Sequence, residues 1–147
     1  MSEPALKDSL PVLLSNIHRL YTSLFYRTLK QQGLDLTRAQ WRVLAFLSVE
    51  DGRIQSELAD IMLMEKAPLG VLLDKLEQKN MIERRQDPRD RRAKRIYITD
   101  TSKPLMPIIE GISADLNNKA FSHLSDEQRQ QMLDLLATVS DNLSNMR

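Results

Sequence analysis

From Leu10 onward a mainly apolar set, Leu10, Leu13, Leu14, Ile17, Leu20, Tyr21, Leu24, Phe25 and Thr28, recurs at steps of three and four. That spacing predicts one long amphipathic helix ending near Gly33. Thr37 and Gln40 have the spacing of a capping box ahead of Trp41, Val43, Leu44 and Leu47, so a second helix starts there and stops near Asp51-Gly52. A third begins beside Gln55, with Leu58, Ala59, Ile61 and Met62 as its apolar positions; Leu63-Met64-Glu65 then leaves room only for a tight connection. The fourth helix carries Leu69, Leu72, Leu73 and Leu76 on one face, and Asn80 sits where a left-handed residue ends it. The period then shortens. Ile82-Glu83-Arg84-Arg85 and Ala93 to Thr99 read as two short strands around a polar, proline-containing turn. Two further helices follow, one with Leu105, Ile108, Ile109, Ile112 and Leu116, the other opening at Ser125 with Gln128 as capping partner and carrying Met132, Leu135, Leu136, Val139 and Leu143.

The order is a long helix, three shorter helices, a β-hairpin and two helices, with no internal repeat. A short helix, a tight turn, a second helix and then a hairpin is the winged helix-turn-helix arrangement, in which one helix enters the major groove and the wing reaches backbone or minor groove. The expected fold class is mainly α with a small β-hairpin wing. Residues 36–100 form the winged module, and 9–32 with 103–147 form a helical dimerisation region. The apolar stripes of those terminal helices are broader than one winged module can cover, which suits burial between subunits; an ordinary intrachain bundle is the alternative.

Charge sharpens this picture through its placement. The net charge over 147 residues is only +1, yet Arg84 to Arg95 holds seven basic residues against Asp87 and Asp90, a local net of +5 that leaves −4 for the rest. The run falls on the hairpin tip, where a phosphate backbone gives it a purpose that a merely solvated loop does not. There is no cysteine, which removes disulfides, thiolate metal sites and thiol redox sensing. His18 and His123 lie in different helices, with no nucleophile, metal or glycine-rich phosphate motif beside them, so no enzyme, metal or cofactor is expected. No apolar run approaches the roughly 18 to 20 residues of a membrane span, and Met1 to Asp8 does not lead into a signal-peptide core, so a cytoplasmic location is expected.

Several segments together resemble the MarR family of bacterial regulators, and its SlyA-like branch most closely. They are Leu36-Thr37 with Trp41 and Leu44, Gln55 to Ala59, Leu72 to Lys79, Ile82 to Arg85, and Asp90 to Thr99. The resemblance covers nearly the whole chain, and its Asp-Arg-Arg wing is the most specific piece. It implies a homodimer with interlocked terminal helices, addressing a pseudo-palindromic operator in double-stranded DNA. It also maps the wing motif onto Asp90, Arg91 and Arg92, with Arg92 in the minor groove and Asp90 orienting a neighbouring arginine. Arg84, Arg89 and Lys94 add phosphate attraction, and Gln55 and Ser56 donate to phosphate from the third helix's N-terminus. Relatives commonly hold small phenolic carboxylates in a cleft beside the dimer helices. By position Thr37 and Trp41 would line it, with His18 or Arg19 approaching from the first helix, so a small aromatic carboxylate is the implied effector.

The fourth helix departs from the family pattern. Once its leucines are buried, its first two turns leave Lys66, Ala67, Pro68, Gly70, Val71 and Asp74, almost without hydrogen-bond donors. Relatives commonly place a hydroxyl residue at the position of Pro68 and often an arginine at that of Val71, so their base contacts do not transfer. Two ways of reading sequence stay open: apolar packing of Ala67 and Val71 on thymine methyls, or recognition of DNA shape at the wings. A winged protein-interaction module, or a shape-led architectural DNA-binding one, with weakened base readout is the competing function.

Overall fold

A computed structural model describes residues 2–147. The elements run α1 (Glu3–Lys7), α2 (Leu10–Gln31), α3 (Arg38–Val49), β1 (Arg53–Ile54), α4 (Gln55–Met62), α5 (Lys66–Gln78), β2 (Ile82–Gln86), β3 (Lys94–Ile98), α6 (Leu105–Ala120) and α7 (Asp126–Ser144). The chain divides into two compact units, one ending at Ser113 and one covering Ala114–Arg147.

The first unit holds the core. Val43, Leu44 and Leu47 of α3, Leu58 and Met62 of α4, and Leu69, Leu72, Leu73 and Leu76 of α5 close around Ile82, Ile96 and Ile98 from the sheet. Leu29, Met106 and Ile109 cover it from α2 and α6. The expected capping box of α3 is present: Thr37 Oγ1 accepts from the Gln40 amide at 3.2 Å, and Gln40 Oε1 accepts from the Thr37 amide at 3.1 Å. Gln40 is itself buried, and Lys79 Nζ donates to the same Oε1 at 3.0 Å, which ties the end of α5 to the start of α3.

The wing is one strand wider than the sequence pattern predicts. β1 joins the expected hairpin to give an antiparallel sheet in the order β1-β3-β2. At two residues β1 is too short to show a period, and α1 likewise has too few residues for a stripe. In the hairpin Ile82 pairs with Ile98, Arg84 with Ile96 and Gln86 with Lys94. Because side chains alternate, Arg84 shares the inward face with Ile82, Ile96 and Ile98, while Arg85, Arg95 and Tyr97 share the outward one.

The second unit comprises the end of α6 and all of α7. Ser125 and Gln128 form the expected second capping box. No residue of α7 is buried, and Leu133, Leu135 and Leu143 are exposed. In the first unit α2 buries only Leu29 and exposes Leu10, Leu13, Leu14, Ile17, Leu20 and Leu24.

Candidate nucleic-acid interface

The turn between α4 and α5 is built on Leu63, which takes the left-handed conformation at φ 53° without the usual glycine or asparagine. The Met64 amide donates to the Ala59 carbonyl at 3.0 Å and closes the turn. Neither α4, capped by Ile54, nor α5, capped by Glu65, has a side-chain cap bond, so the first-turn amides of both helices stay free to donate outward. Pro68 lacks an amide hydrogen but falls in the first turn of α5, where no intrahelical bond needs it.

The wing tip is organised by Asp87, a residue that the charge pattern alone does not single out. This carboxylate is only 4% exposed. Its Oδ1 accepts from the amides of Arg89 at 2.7 Å and Asp90 at 3.2 Å, while Oδ2 accepts from Arg95 Nε at 2.7 Å. Arg95 Nη1 reaches on to the Gly52 carbonyl at 2.8 Å, so one carboxylate and one guanidinium pin the tip to the loop before β1. The Arg89 amide above all, then Arg95 and the Asp90 amide, hold the Asp87 carboxyl below the usual carboxylate range against the opposing effect of burial. Asp90 acts on the backbone: its Oδ1 accepts from the Arg92 amide at 2.9 Å, which orients the residue that follows the wing's central arginine.

The structure sorts the seven wing cations into two groups. Arg85 pairs with Glu83 and lies over the Tyr97 ring at 4.3 Å, and Arg95 pairs with Asp87. Arg84 departs from its expected place at the DNA face. Its Nη1 donates to Asp74 at 2.6 Å and its Nη2 to the Gly70 carbonyl at 3.0 Å, because strand alternation turns it inward onto α5. Among the described residues, the side chains of Arg89, Arg91, Arg92 and Lys94 are exposed and make no ion pair. A cleft of about 260 Å³ brings Gln55 and Ser56 of α4, Lys66 of α5, and Arg92 and Lys94 of the wing to one place. Ala67, Pro68 and Val71 lie exposed on the neighbouring surface of α5, with Gly70 partly covered.

The residues expected to line an effector cleft sit away from this surface. His18 Nε2 meets Arg38 Nη2, and the Trp41 ring lies 6.1 Å from Phe25. Thr37 is occupied as a helix cap, and Arg19 is exposed. Arg38 and Arg42 also flank Tyr26, whose phenol is pushed up by burial and drawn partly back by the two guanidiniums. A sequence signal for this pair exists: Arg38 and Arg42 stand four apart and share a helical face.

Residues 34–93 match the MarR family. The transcriptional regulator PA3341 is similar at 30% identity and a TM-score of 0.78, over 93% of this chain and 99% of its own. The transcriptional regulator SlyA is similar at 27% identity and a TM-score of 0.76, over 90% of this chain and 94% of its own. The transcriptional repressor CouR, whose structure is of the protein bound to a 23-mer DNA duplex, shares the fold at 24% identity and a TM-score of 0.82, over 95% of this chain and 98% of its own.

Proposed function

Since this chain belongs to the MarR family, whose members are transcription regulators and not enzymes, we propose that it binds double-stranded DNA as a homodimer at pseudo-palindromic operators. The cleft shared by α4, α5 and the wing carries this reading, because it gathers Gln55, Ser56, Lys66, Arg92 and Lys94 from three elements beside two helix N-termini with free amides. A phosphate there meets positive charge and amide donors together. CouR, which shares the fold, has a structure with a 23-mer DNA duplex bound. Arg92 extends from this cleft into the minor groove, where narrow A·T-rich sequence deepens the negative potential, while Arg89 and Arg91 attract the flanking backbone.

A twofold dimer presents two such modules to two half-sites, which is why the operator is pseudo-palindromic. The unburied apolar faces of α2 and α7 support dimerisation through residues 9–32 and 103–147, outside the winged module at 36–100.

The test is selection of bound sequences from a random duplex pool by the wild type and by Arg92→Ala at two salt concentrations. Expected is a pseudo-palindrome that the variant fails to enrich. With about 6 to 10 phosphates contacted per dimer, affinity falls by about 10³ to 10⁵ between about 50 and 200 mM salt. Binding that is flat in salt overturns the reading and favours the protein-interaction module.

The effector is a small aromatic carboxylate held by His18, Arg19, Thr37 and Trp41, with Arg38 beside His18 as the cation supporting the assignment. Trp41 is the sole tryptophan, so benzoate added to the protein should change its fluorescence saturably and weaken DNA binding over the same concentrations. A fluorescence signal without an effect on DNA binding removes the effector role.

A further inference from the structure

We propose that α5 reads its half-site through the C5-methyl groups of thymine, with Val71 and Ala67 as the residues that determine specificity. The proposal rests on the DNA-binding reading above and adds what the recognition helix recognises. In the major groove every base edge offers donors or acceptors, and thymine alone offers a methyl. The surface of α5 beside the basic cleft is built for the methyl. Ala67 and Val71 are one helical turn apart on one stripe, and Val71 is 55% exposed although its helix has a well-filled core.

Apart from Lys66 and the second carboxylate oxygen of Asp74, the polar groups on this stretch are either absent or occupied. Pro68 brings no amide hydrogen and no polar atom in its side chain. A Cβ added at Gly70 would meet only Gln55 Nε2, at 4.0 Å, so the helix surface there is open to close approach. The Gly70 carbonyl and Asp74 Oδ1 both already accept from Arg84. Arg84 is thus a positioning residue: it holds Asp74, the carboxylate one turn beyond Gly70, on the wing's inner face. Lys66, next to Ala67 in the chain, lines one cleft with Arg92 and Lys94 of the wing, and these cations supply the complement to a phosphate beside the stripe.

An apolar stripe leaves donors or acceptors without partners on whichever base edge it covers, and thymine alone returns a methyl contact that offsets part of that cost. The consequence is a half-site with thymine at the positions facing Ala67 and Val71. Discrimination comes from the methyl contact.

The experiment takes duplexes selected by the wild-type protein and remakes them with deoxyuridine for thymidine one position at a time, which removes the methyl and nothing else. Uracil opposite α5 should raise Kd about fourfold per methyl, the worth of one buried methylene group, and about 15-fold when both half-sites are changed. Uracil at the A·T steps under the wing should change nothing, since the minor groove displays no methyl. In Val71→Ala, an exposed helical position where alanine is well tolerated, the uracil effect should vanish at the base pair Val71 touches. Equal affinity for thymine and uracil duplexes, a selected half-site without thymine opposite α5, or an undiminished uracil effect in both Val71→Ala and Ala67→Gly overturns the proposal. If salt-dependent binding and its sensitivity to Arg92→Ala persist in that case, DNA binding stands and only the mode of reading falls. Absence of salt-dependent binding overturns both.

Discussion

Arg84 and Arg92 carry the same charge eight residues apart and answer to different surroundings. Arg84 lies against α5 with its side chain only 18% exposed, bound to Asp74 and the Gly70 carbonyl. Arg92 has its amide fixed by Asp90 and its side chain free at the basic cleft. Arg84→Ala should therefore destabilise the fold by about 1–3 kcal/mol, as expected when hydrogen bonds to a charged group are removed, and leave the salt slope of DNA binding unchanged. Arg92→Ala should leave the denaturation midpoint in place and lower that slope by about 1 for each phosphate no longer neutralised. Asp87 adds a dependence on pH. Its carboxyl is held below the ordinary value by the Arg89 amide first and by Arg95 and the Asp90 amide after it, so it binds a proton less readily folded than unfolded. The stability it contributes is complete at neutral pH and drains away as pH falls below about 4, the unfolded carboxylate's value, through the lower folded value. Urea midpoints of wild type and Asp87→Asn should differ at pH 7 and converge in acid. Part of this is legible in the sequence: strand alternation from Ile82 places Arg84 inward, and Asp87 before Pro88 marks a turn. The pairing of Asp87 with Arg95 is not, because it depends on how far the tip folds back over the sheet.

At the scale of elements, the readable features are those whose signal is local. Two capping boxes, the leucine face of α5 and the left-handed Asn80 follow from spacings of three or four residues, and all are present. The α4–α5 turn requires a left-handed residue that the sequence does not announce, since Leu63 fills it. β1 exists only because β3 offers it an edge, with Arg53 opposite Ile96. That junction makes Gly52 a sensitive position. It has φ +74°, and an added Cβ would lie 2.8 Å from Tyr97 Cε1, in the ring that also stacks under Arg85. Gly52→Ala should cost about 1–2 kcal/mol for the left-handed backbone and about 1–3 more for overpacking against the ring. Gly33 is the control, with φ +77° and nothing within 4 Å of a built Cβ, so Gly33→Ala should cost only the backbone part, about 1–2 kcal/mol. Thermal denaturation of the two variants side by side separates the two effects; equal losses of stability would mean that the Tyr97 ring yields without cost.

For the whole molecule, the decisive contrast is between a filled core and bare terminal helices. The winged part of the first unit buries every leucine except Leu63, whereas α2 presents six large apolar residues to solvent and α7 buries none of its own. Single exposed apolar residues are ordinary, but continuous stripes along helices of 22 and 19 residues are the surfaces that the proposed dimer would cover. If a second copy supplies that partner, folding and association are linked, and stability must depend on protein concentration. Each tenfold rise in concentration adds about 1.4 kcal/mol to a two-state dimer, which for a pair of chains this size raises Tm by about 2–3 °C. Leu13→Glu in α2 and Leu135→Glu in α7 discriminate further, because both positions are exposed in the single chain, Leu135 by 60%, and would accept glutamate there at little cost. In a dimer each charge would be desolvated without a counter-ion, so both variants should sediment as weaker dimers or monomers with a lowered Tm. They should also bind operator DNA less tightly, since two half-sites joined through one dimer gain from effective concentration. A Tm independent of concentration, with sedimentation unaffected by either glutamate, would place the apolar faces outside any self-interface and remove the physical ground for a two-half-site operator.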